Sequence, residues 1–169
     1  MKRLLSLLLL PFIIGACATG GSTAHLRVKG ASGSDIPLEW LPLAEGKRVA
    51  LERQKPILVD FYVPEGCGRC DRMAKHLYND PEIARYIEEN FILVRINIEA
   101  DMSRDEIELG RRYDYNYSCL LVFLNYRGDV IGDAAGQRMC FPDFVEPAWF
   151  KKYLSRAVEE NGDALREGT

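Results

Sequence analysis

Apolar residues gather along the chain in short runs that have the length of single strands. Three such runs lie at residues 57–63, 91–98 and 120–124. Runs of this length that are rich in β-branched and aromatic side chains are typical of strands buried on both faces. A fourth β-like run, residues 129–134, follows the third after the short turn 125–128, and the two are predicted to form a hairpin.

Between and after these runs, polar and apolar residues alternate with the spacing of amphipathic helices. An Asx residue before Pro81 would cap one helix, and Ser103 with Glu106 forms a capping box that opens another. A last helix begins at Pro147 and is predicted to stop at Gly162. In total the pattern predicts helices over residues 43–54 and 72–78, from residue 81, over residues 103–113 and over residues 147–162.

This alternation of strands and helices, closed by a hairpin and a helix, indicates an α/β domain with a central mixed sheet flanked by helices. The pattern begins near Ile36, so the domain is assigned to residues 36–169. A length of 169 residues, with 47% hydrophobic and 28% charged residues, is sufficient for one globular domain of this kind.

The N-terminal segment has the features of an export signal instead of a folded element. Two basic residues precede an apolar stretch, residues 4–14, that is short for a membrane span. The sequence Ile-Gly-Ala-Cys at residues 14–17 resembles the bacterial lipobox. That resemblance implies a lipoprotein in which residues 1–16 are removed and Cys17 is acylated, with palmitate as a lipid group. An ordinary secretory signal with an incidental cysteine is the alternative.

Residues 17–35 are rich in Gly, Ser, Thr and Ala, and they are predicted to be a flexible tether between the lipid and the domain. The lipobox resemblance implies the periplasmic side of the cell envelope. Ala18 stands where an aspartate tends to mean inner-membrane retention, so the outer membrane is expected in a Gram-negative host. Loss of Lys2 and Arg3 changes the formal charge from −3 to −5, and with no basic stripe the chain is not expected to bind nucleic acid.

Two cysteines stand where the first predicted strand meets the next helix. After the turn at residues 64–66, Cys67 and Cys70 are separated by Gly68 and Arg69. A CxxC pair between a buried strand and a helix is typical of a redox motif. Cys67 is predicted to be the attacking thiolate, because unpaired N–H groups and the helix dipole favour the charged form at a helix N-terminus. Cys70, about one turn further on, is predicted to resolve the mixed disulfide.

Several of these segments together resemble the thioredoxin-like superfamily, in particular the thioredoxin-related lipoproteins that bacteria export. The resemblance implies the thioredoxin-like fold and a thiol–disulfide oxidoreductase that needs no cofactor. It also implies that the partners are envelope proteins with thiols or disulfides, together with a redox partner protein. It extends over about residues 40–160 and rests on the strand residues 57–62, on Cys67-Gly68-Arg69-Cys70, on residues 93–98, and on residues 122–124 with Gly128.

Asp60 is an unusual residue for a buried strand, because an unpaired buried carboxylate is costly. The family resemblance implies that the acid at this position gives and takes the proton of the resolving cysteine, and Arg95 stands where thioredoxin has a lysine facing that acid. The chain has one additional residue between Asp60 and Cys67 compared with thioredoxin, so a structural ion pair between Asp60 and Arg95 is the alternative.

Arg69 places a fixed positive charge inside the motif, where protein disulfide isomerase has a histidine. It is predicted to stabilise the thiolate, and a reduced form stabilised in this way makes a better oxidant. A solvated surface charge without a role in the chemistry is the alternative interpretation of Arg69.

Two positions depart from the family pattern. Gly66 stands where thioredoxins carry a tryptophan before the first cysteine, and Cys119, preceded by Ser118, stands where they carry a cis-proline. Because a non-proline cis peptide bond costs about 3 kcal/mol, the part that the proline plays in shaping the substrate groove is not transferred to Cys119. The substrate preference of the family is therefore not transferred either.

Cys119 and Cys140 stand at opposite ends of the predicted hairpin, where antiparallel pairing brings strand ends together. With Cys17 acylated, four cysteines remain, which allows three pairings. The pairs Cys67–Cys70 and Cys119–Cys140 are favoured. The alternative is that Cys119 and Cys140 are each a small buried hydrophobic residue.

Two other functions remain open at this point. If Cys67, Cys70, Cys119 and Cys140 converge, their thiolates could bind copper(I) or zinc in a metal-binding module, although the spacing lacks the second close pair of a zinc ribbon. A redox-inert interaction domain that keeps only the fold is the other possibility. Among redox functions the reductase is slightly favoured over the oxidase and the isomerase.

Overall fold

The computed structural model describes residues 38–113, 121–132, 135, 137–141 and 143–168. The predicted signal segment 1–16 and tether 17–35 lie outside this range. Within it the strands are β1 (Trp40–Leu41), β2 (Ile57–Tyr62), β3 (Ile92–Asn97), β4 (Leu121–Leu124) and β5 (Cys140–Phe141). The helices are α1 (Leu43–Arg53), α2 (Gly68–Met73), α3 (Pro81–Asn90), α4 (Arg104–Tyr113) and α5 (Pro147–Glu167), with a π-helical turn at Ala74–Tyr78 that continues α2.

The described strands form one mixed sheet in the order β1-β3-β2-β4-β5. Strand β3 runs parallel to both β1 and β2, whereas β4 runs antiparallel to β2 and to β5. The α/β class and the mixed sheet predicted from the sequence are confirmed. In the register between β2 and β3, Asp60 lies beside Arg95, and on its other side Asp60 lies beside Leu121. This register brings the buried acid next to a basic side chain.

The helices cover both faces of the sheet, so the central strands are buried on both sides. On one face α3, α5 and the π-helical turn pack over Leu58, Leu93 and Phe123. On the other face α1 and α4 pack over Val59, Val94 and Val122. Successive residues of a strand point to opposite faces, which explains why these strands are mainly apolar in the sequence and do not alternate between apolar and polar residues.

The predicted helix caps are present. The carboxylate of Asp80 accepts hydrogen bonds from the backbone N–H groups of Glu82 and Ile83 at 3.0 and 2.9 Å. Ser103 and Glu106 form the reciprocal bonds of a capping box, at 2.8 and 3.3 Å.

None of the helices in the described part of the chain is long and apolar enough to cross a membrane.

The predicted hairpin is only partly correct. Of the run 129–134, Val130 makes an isolated bridge to Leu124, and Gly132 makes one to Arg138. The partner changes at Ile131, whose N–H donates to Phe123 O while its carbonyl accepts from Met139 N. Val130 and Ile131 therefore pair with the end of β4, at Leu124 and Phe123, whereas β5 pairs with the start of β4.

The prediction that Gly162 ends the last helix is wrong, because α5 continues to Glu167. A glycine inside a helix costs about 1 kcal/mol relative to alanine, which tertiary contacts can offset. The neighbouring Asn161 is buried; its side chain accepts from Tyr126 N at 2.7 Å and donates to Gln54 O at 3.0 Å. These bonds tie the second half of α5 to the domain, so the helix does not stop at the glycine.

Candidate active site

Cys67 and Cys70 form a disulfide where β2 leads into α2. The two sulfur atoms are 1.98 Å apart, and the Cα atoms are 5.2 Å apart. Cys67 is the N-cap of α2, and its Sγ accepts a hydrogen bond from the backbone N–H of Cys70 at 3.1 Å. Both cysteines are partly exposed. The sequence placed both at the start of a helix, and the structure brings them together there as a bonded pair.

The residue before the motif, Gly66, has a left-handed backbone conformation with φ of 73°. L-residues with a side chain rarely adopt this conformation, whereas glycine does so without steric cost. Among the residues that the structure describes, none comes within 4 Å of a Cβ built at Gly66. The turn therefore explains the glycine, and the described residues leave this side of Cys67 open.

Asp60, on β2, is 2% exposed and lies between two arginines. Arg69 Nη2 is 3.3 Å from Asp60 Oδ1, and Arg95 Nη2 is 3.2 Å from Asp60 Oδ2. Each carboxylate oxygen therefore has a guanidinium partner. The predicted pairing of Asp60 with Arg95 is present, and Arg69 is a second partner that the sequence did not predict for this acid.

Arg69 itself is 8% exposed, so its interpretation as a solvated surface charge is wrong. Its Nη1 donates to the carbonyl oxygen of Phe61 at 3.4 Å and lies 4.0 Å from Cys70 Sγ. The side chain of Arg69 thus runs inward from the first turn of α2, between the buried carboxylate and the sulfur of the second cysteine.

Aromatic side chains surround Arg95. Its guanidinium carbon lies 3.9 Å from the ring centroid of Trp40 and 5.0 Å from that of Tyr62. Tyr78 lies further away at 5.8 Å, and its ring meets Trp40 edge to face at 5.2 Å. Cations over aromatic faces are favoured, most strongly over tryptophan. These contacts hold Arg95 in place beside Asp60.

The π-helical turn at Ala74–Tyr78 brings Tyr78 into this cluster. Asn79 N–H donates to Ala74 O at 2.9 Å. This hydrogen bond joins residues five apart, so the turn contains one residue more than an α-helical turn. Leu77 and Tyr78 are consequently both buried. Burial raises the pKa of the Tyr78 phenol well above its usual value, and the negative charge of Asp60 raises it further. Tyr78 is therefore a neutral neighbour of Asp60.

The remaining predicted site residues are placed only in part. Cys140 lies on β5 beside Val122 and is disulfide-bonded, with a partner outside the described residues. Ser118, Cys119 and Cys17 also lie outside those residues, so the predicted Cys119–Cys140 pair, the predicted groove residues and the lipidation site stay predictions. Among the residues that the structure describes, no three His, Cys, Asp or Glu side chains are grouped for metal binding.

Comparisons with known proteins agree with this geometry. The family model described as thioredoxin-like matches residues 39–125. A DsbH oxidoreductase structure aligns over 71% of this chain and 84% of its own, with 19% identity and a TM-score of 0.51. A thioredoxin from Thermus thermophilus aligns over 74% and 90%, with 22% identity and a TM-score of 0.51. No curated protein sequence matches the chain.

A third solved structure, a putative disulphide isomerase from Bacteroides thetaiotaomicron, aligns over 70% of this chain and 89% of its own, with 24% identity and a TM-score of 0.51. At these identities the three structures support the fold, and the family model covers more than half of the chain. The chain therefore belongs to the thioredoxin-like family, and its Cys67–Cys70 disulfide makes it a thiol–disulfide oxidoreductase of that family.

Proposed function

We propose that this protein is a lipid-anchored thiol–disulfide oxidoreductase on the periplasmic side of the bacterial envelope, acting chiefly as a reductase. The observation that carries the proposal is the disulfide between Cys67 and Cys70 at the N-terminus of α2. A helix N-terminus favours a thiolate at Cys67 once the disulfide is reduced. The partly exposed position of both sulfurs allows a second protein to reach them.

The reaction proceeds through two exchanges of disulfide bonds. The thiolate of reduced Cys67 attacks a substrate disulfide and forms a mixed disulfide; the released substrate sulfur leaves as a thiolate that takes a proton from water. The thiolate of Cys70, whose proton has gone to solvent, then attacks Cys67 Sγ, and the second substrate sulfur leaves. Two electrons pass to the substrate, and the protein is left with the Cys67–Cys70 disulfide. A dithiol protein must reduce that disulfide before the next cycle.

The anchor rests on the sequence of the N-terminal segment. The lipobox resemblance supports acylation of Cys17, and outer-membrane placement follows from Ala18. Residues 18–35 would then join the lipid to the domain, and a flexible chain of that length has an end-to-end distance of about 23 Å. Such a tether lets the domain meet partners near the membrane without embedding in it.

A structural disulfide between Cys119 and Cys140 is part of the same proposal. It is supported by the bonded state of Cys140 and by the position of β5 beside the start of β4. Disulfides persist in oxidising compartments such as the periplasm. This pair would leave Cys67 and Cys70 as the redox-active thiols, with Ser118 and Cys119 beside the substrate groove.

The activity is tested with the mature protein purified in detergent. With dithiothreitol as reductant, we expect the protein to accelerate reduction of the interchain disulfides of insulin. The control is the same protein after reduction and alkylation of its thiols, which should give only the uncatalysed rate. Equal rates with the untreated and the alkylated protein would contradict the proposed activity.

Metal analysis of protein purified under reducing conditions tests the metal-binding alternative. Bound copper or zinc near one equivalent would favour that alternative.

The anchor is tested by fractionating cells that produce the full chain. The wild-type protein is expected in the membrane fraction, and Cys17→Ala is expected in the soluble fraction or as unprocessed precursor, because only an acylated cysteine holds the mature chain to the lipid. Cys67→Ala serves as the matched cysteine control and should stay in the membrane fraction. If processed Cys17→Ala remained with the membranes, the lipid anchor would be wrong.

A further inference from the structure

Arg69 connects the buried carboxylate to one sulfur of the disulfide and not to the other. It is nine-tenths buried, and its guanidinium contacts Asp60 Oδ1, Phe61 O and Cys70 Sγ. Among the described contacts of Arg69, none involves Cys67 Sγ, which instead accepts the backbone N–H of Cys70. The two sulfurs therefore have different partners, a guanidinium for Cys70 and a backbone amide for Cys67.

The charges around this site do not balance in the oxidised protein. Arg69 and Arg95 share the single carboxylate of Asp60, which leaves one positive charge in excess. The Nε atoms of both arginines are buried and have no hydrogen-bond acceptor within the described part of the chain. The other facing group, Tyr78, is neutral. Nearer the surface, Asp143 is paired with Arg72 at 2.7 Å. The pKa of Asp143 is lowered by a backbone hydrogen bond and by Arg72, and less by the more distant charge of Arg69. A buried excess charge is costly unless a counter-ion approaches.

We propose that Arg69 is the counter-ion of the Cys70 thiolate in the reduced protein. This inference rests on the proposed function and assigns the excess positive charge of the Asp60–Arg69–Arg95 cluster to the second cysteine of the motif. When the disulfide is reduced, the new thiolate at Cys70 lies at the contact that the sulfur already makes with Nη1, 4.0 Å away. The charge of the cluster is then balanced, so the reduced form is stabilised, and the protein is a weaker reductant than the same protein without Arg69.

In this arrangement Asp60 does not act as a general base. Both of its oxygens are already paired with arginines, and Asp60 holds Arg69 against the sulfur. In the reduced protein, Cys70 can then lose its proton to solvent. Once Cys67 has formed the mixed disulfide with the substrate, the Cys70 thiolate attacks it directly. Asp60 is thus a positioning residue that acts through Arg69, while Arg69 contacts the reacting sulfur.

The first experiment measures each thiol separately and requires no turnover. In a Cys67→Ser protein only Cys70 of the motif can react with iodoacetamide, and in a Cys70→Ser protein only Cys67 can. Adding Arg69→Met is expected to slow alkylation of Cys70 at neutral pH at least about tenfold. An opposite charge within 4–6 Å lowers the pKa of an ionisable group by about one or more, and only the thiolate reacts with iodoacetamide. Alkylation of Cys67 is expected to change less than about threefold. An equal effect on both thiols, or an effect on Cys67 alone, would overturn the proposal.

The matched control is Arg95→Met, which removes the same charge from the other oxygen of the same carboxylate; among the described contacts, Arg95 makes none with Cys70 Sγ. Its effect on Cys70 alkylation is expected to stay below about threefold, because the interaction weakens with distance. Arg69→Lys, which keeps the charge, should recover most of the Cys70 reactivity. If Arg95→Met slowed Cys70 as much as Arg69→Met, the guanidinium of Arg69 would act only through the structure of the cluster, and the proposal would be wrong.

The second experiment measures the redox equilibrium of the intact pair against glutathione. Arg69→Met is expected to raise the equilibrium constant for oxidation of Cys67 and Cys70 about tenfold, equivalent to about 30 mV towards more reducing potentials. Should Arg69→Met fail to fold, Asp60→Asn/Arg69→Met removes the buried pair together and is compared with Asp60→Asn. An unchanged or smaller constant would contradict the proposal, even if catalytic turnover of insulin had been established.

Discussion

Cys67→Ser is expected to lose all acceleration of disulfide reduction, down to the rate of the uncatalysed reaction. The serine hydroxyl is not ionised at neutral pH and cannot form the mixed disulfide, whereas a thiolate at the N-cap of α2 can. The measurement is the rate of insulin reduction by dithiothreitol under the same conditions. The matched control is Asp71→Asn, an exposed change in the same helix, which should keep the wild-type rate.

Cys70→Ser is expected to fail in a different way. Cys67 can still attack, but no second thiol is present to resolve the mixed disulfide, so the covalent complex with the substrate accumulates. Non-reducing gels would detect this complex, and dithiothreitol would release it. Accumulation with Cys67→Ser instead of Cys70→Ser would reverse the two roles, and substantial turnover by Cys67→Ser would contradict the assignment of the redox pair.

Asp60→Leu is expected to lower the free energy of unfolding by about 3–5 kcal/mol, because it leaves the buried guanidinium of Arg69 and the partly buried guanidinium of Arg95 without a counter-ion. The carboxylate is 2% exposed and paired on both oxygens, so its loss cannot be made good by solvent. Urea unfolding of the oxidised protein, followed by circular dichroism and extrapolated to water, measures the change.

Glu52→Ala provides the comparison for that measurement. It breaks an ion pair between Arg48 and Glu52 whose contact, 2.6 Å, is shorter than those of Asp60, but both of its side chains are more than half exposed. An exposed pair of this kind contributes about 0.3–0.5 kcal/mol. If Asp60→Leu cost no more than Glu52→Ala, the cluster around Asp60 would not be a buried ionic network, and the charge balance argued for Arg69 would lose its basis.

The part of the fold that could be predicted from sequence is the part with a clear periodic signal. Strands β2, β3 and β4 are largely buried, and they appear as mainly apolar runs that Asp60 interrupts in β2 and Arg95 in β3. The cysteine pair follows β2 after a turn, which predicts its position at a helix start, and α2 begins there. The pairing of Asp60 with Arg95 came from the family resemblance, and the register of β2 with β3 accounts for it.

The part that could not be predicted depends on where side chains point. In sequence Arg69 is a charged residue beside a glycine, and only the orientation of the first turn of α2 directs it inward to Asp60. Strand β1 has two residues, too few for any periodic signal, so Trp40 was missed. The π-helical turn adds one residue to a helical turn, and a 3.6-residue period therefore gave no reason to select Tyr78.

Gly66 has a consequence for the range of proteins on which the enzyme could act. Among the described residues, no atom lies within 4 Å of a side-chain position at Gly66, so those residues leave that side of Cys67 open to another protein. Under the proposed function, substrates would then be selected by how accessible their own disulfides are, and less by a matching shape around the attacking sulfur. We therefore expect reduction of exposed disulfides on many different proteins and not on a single substrate.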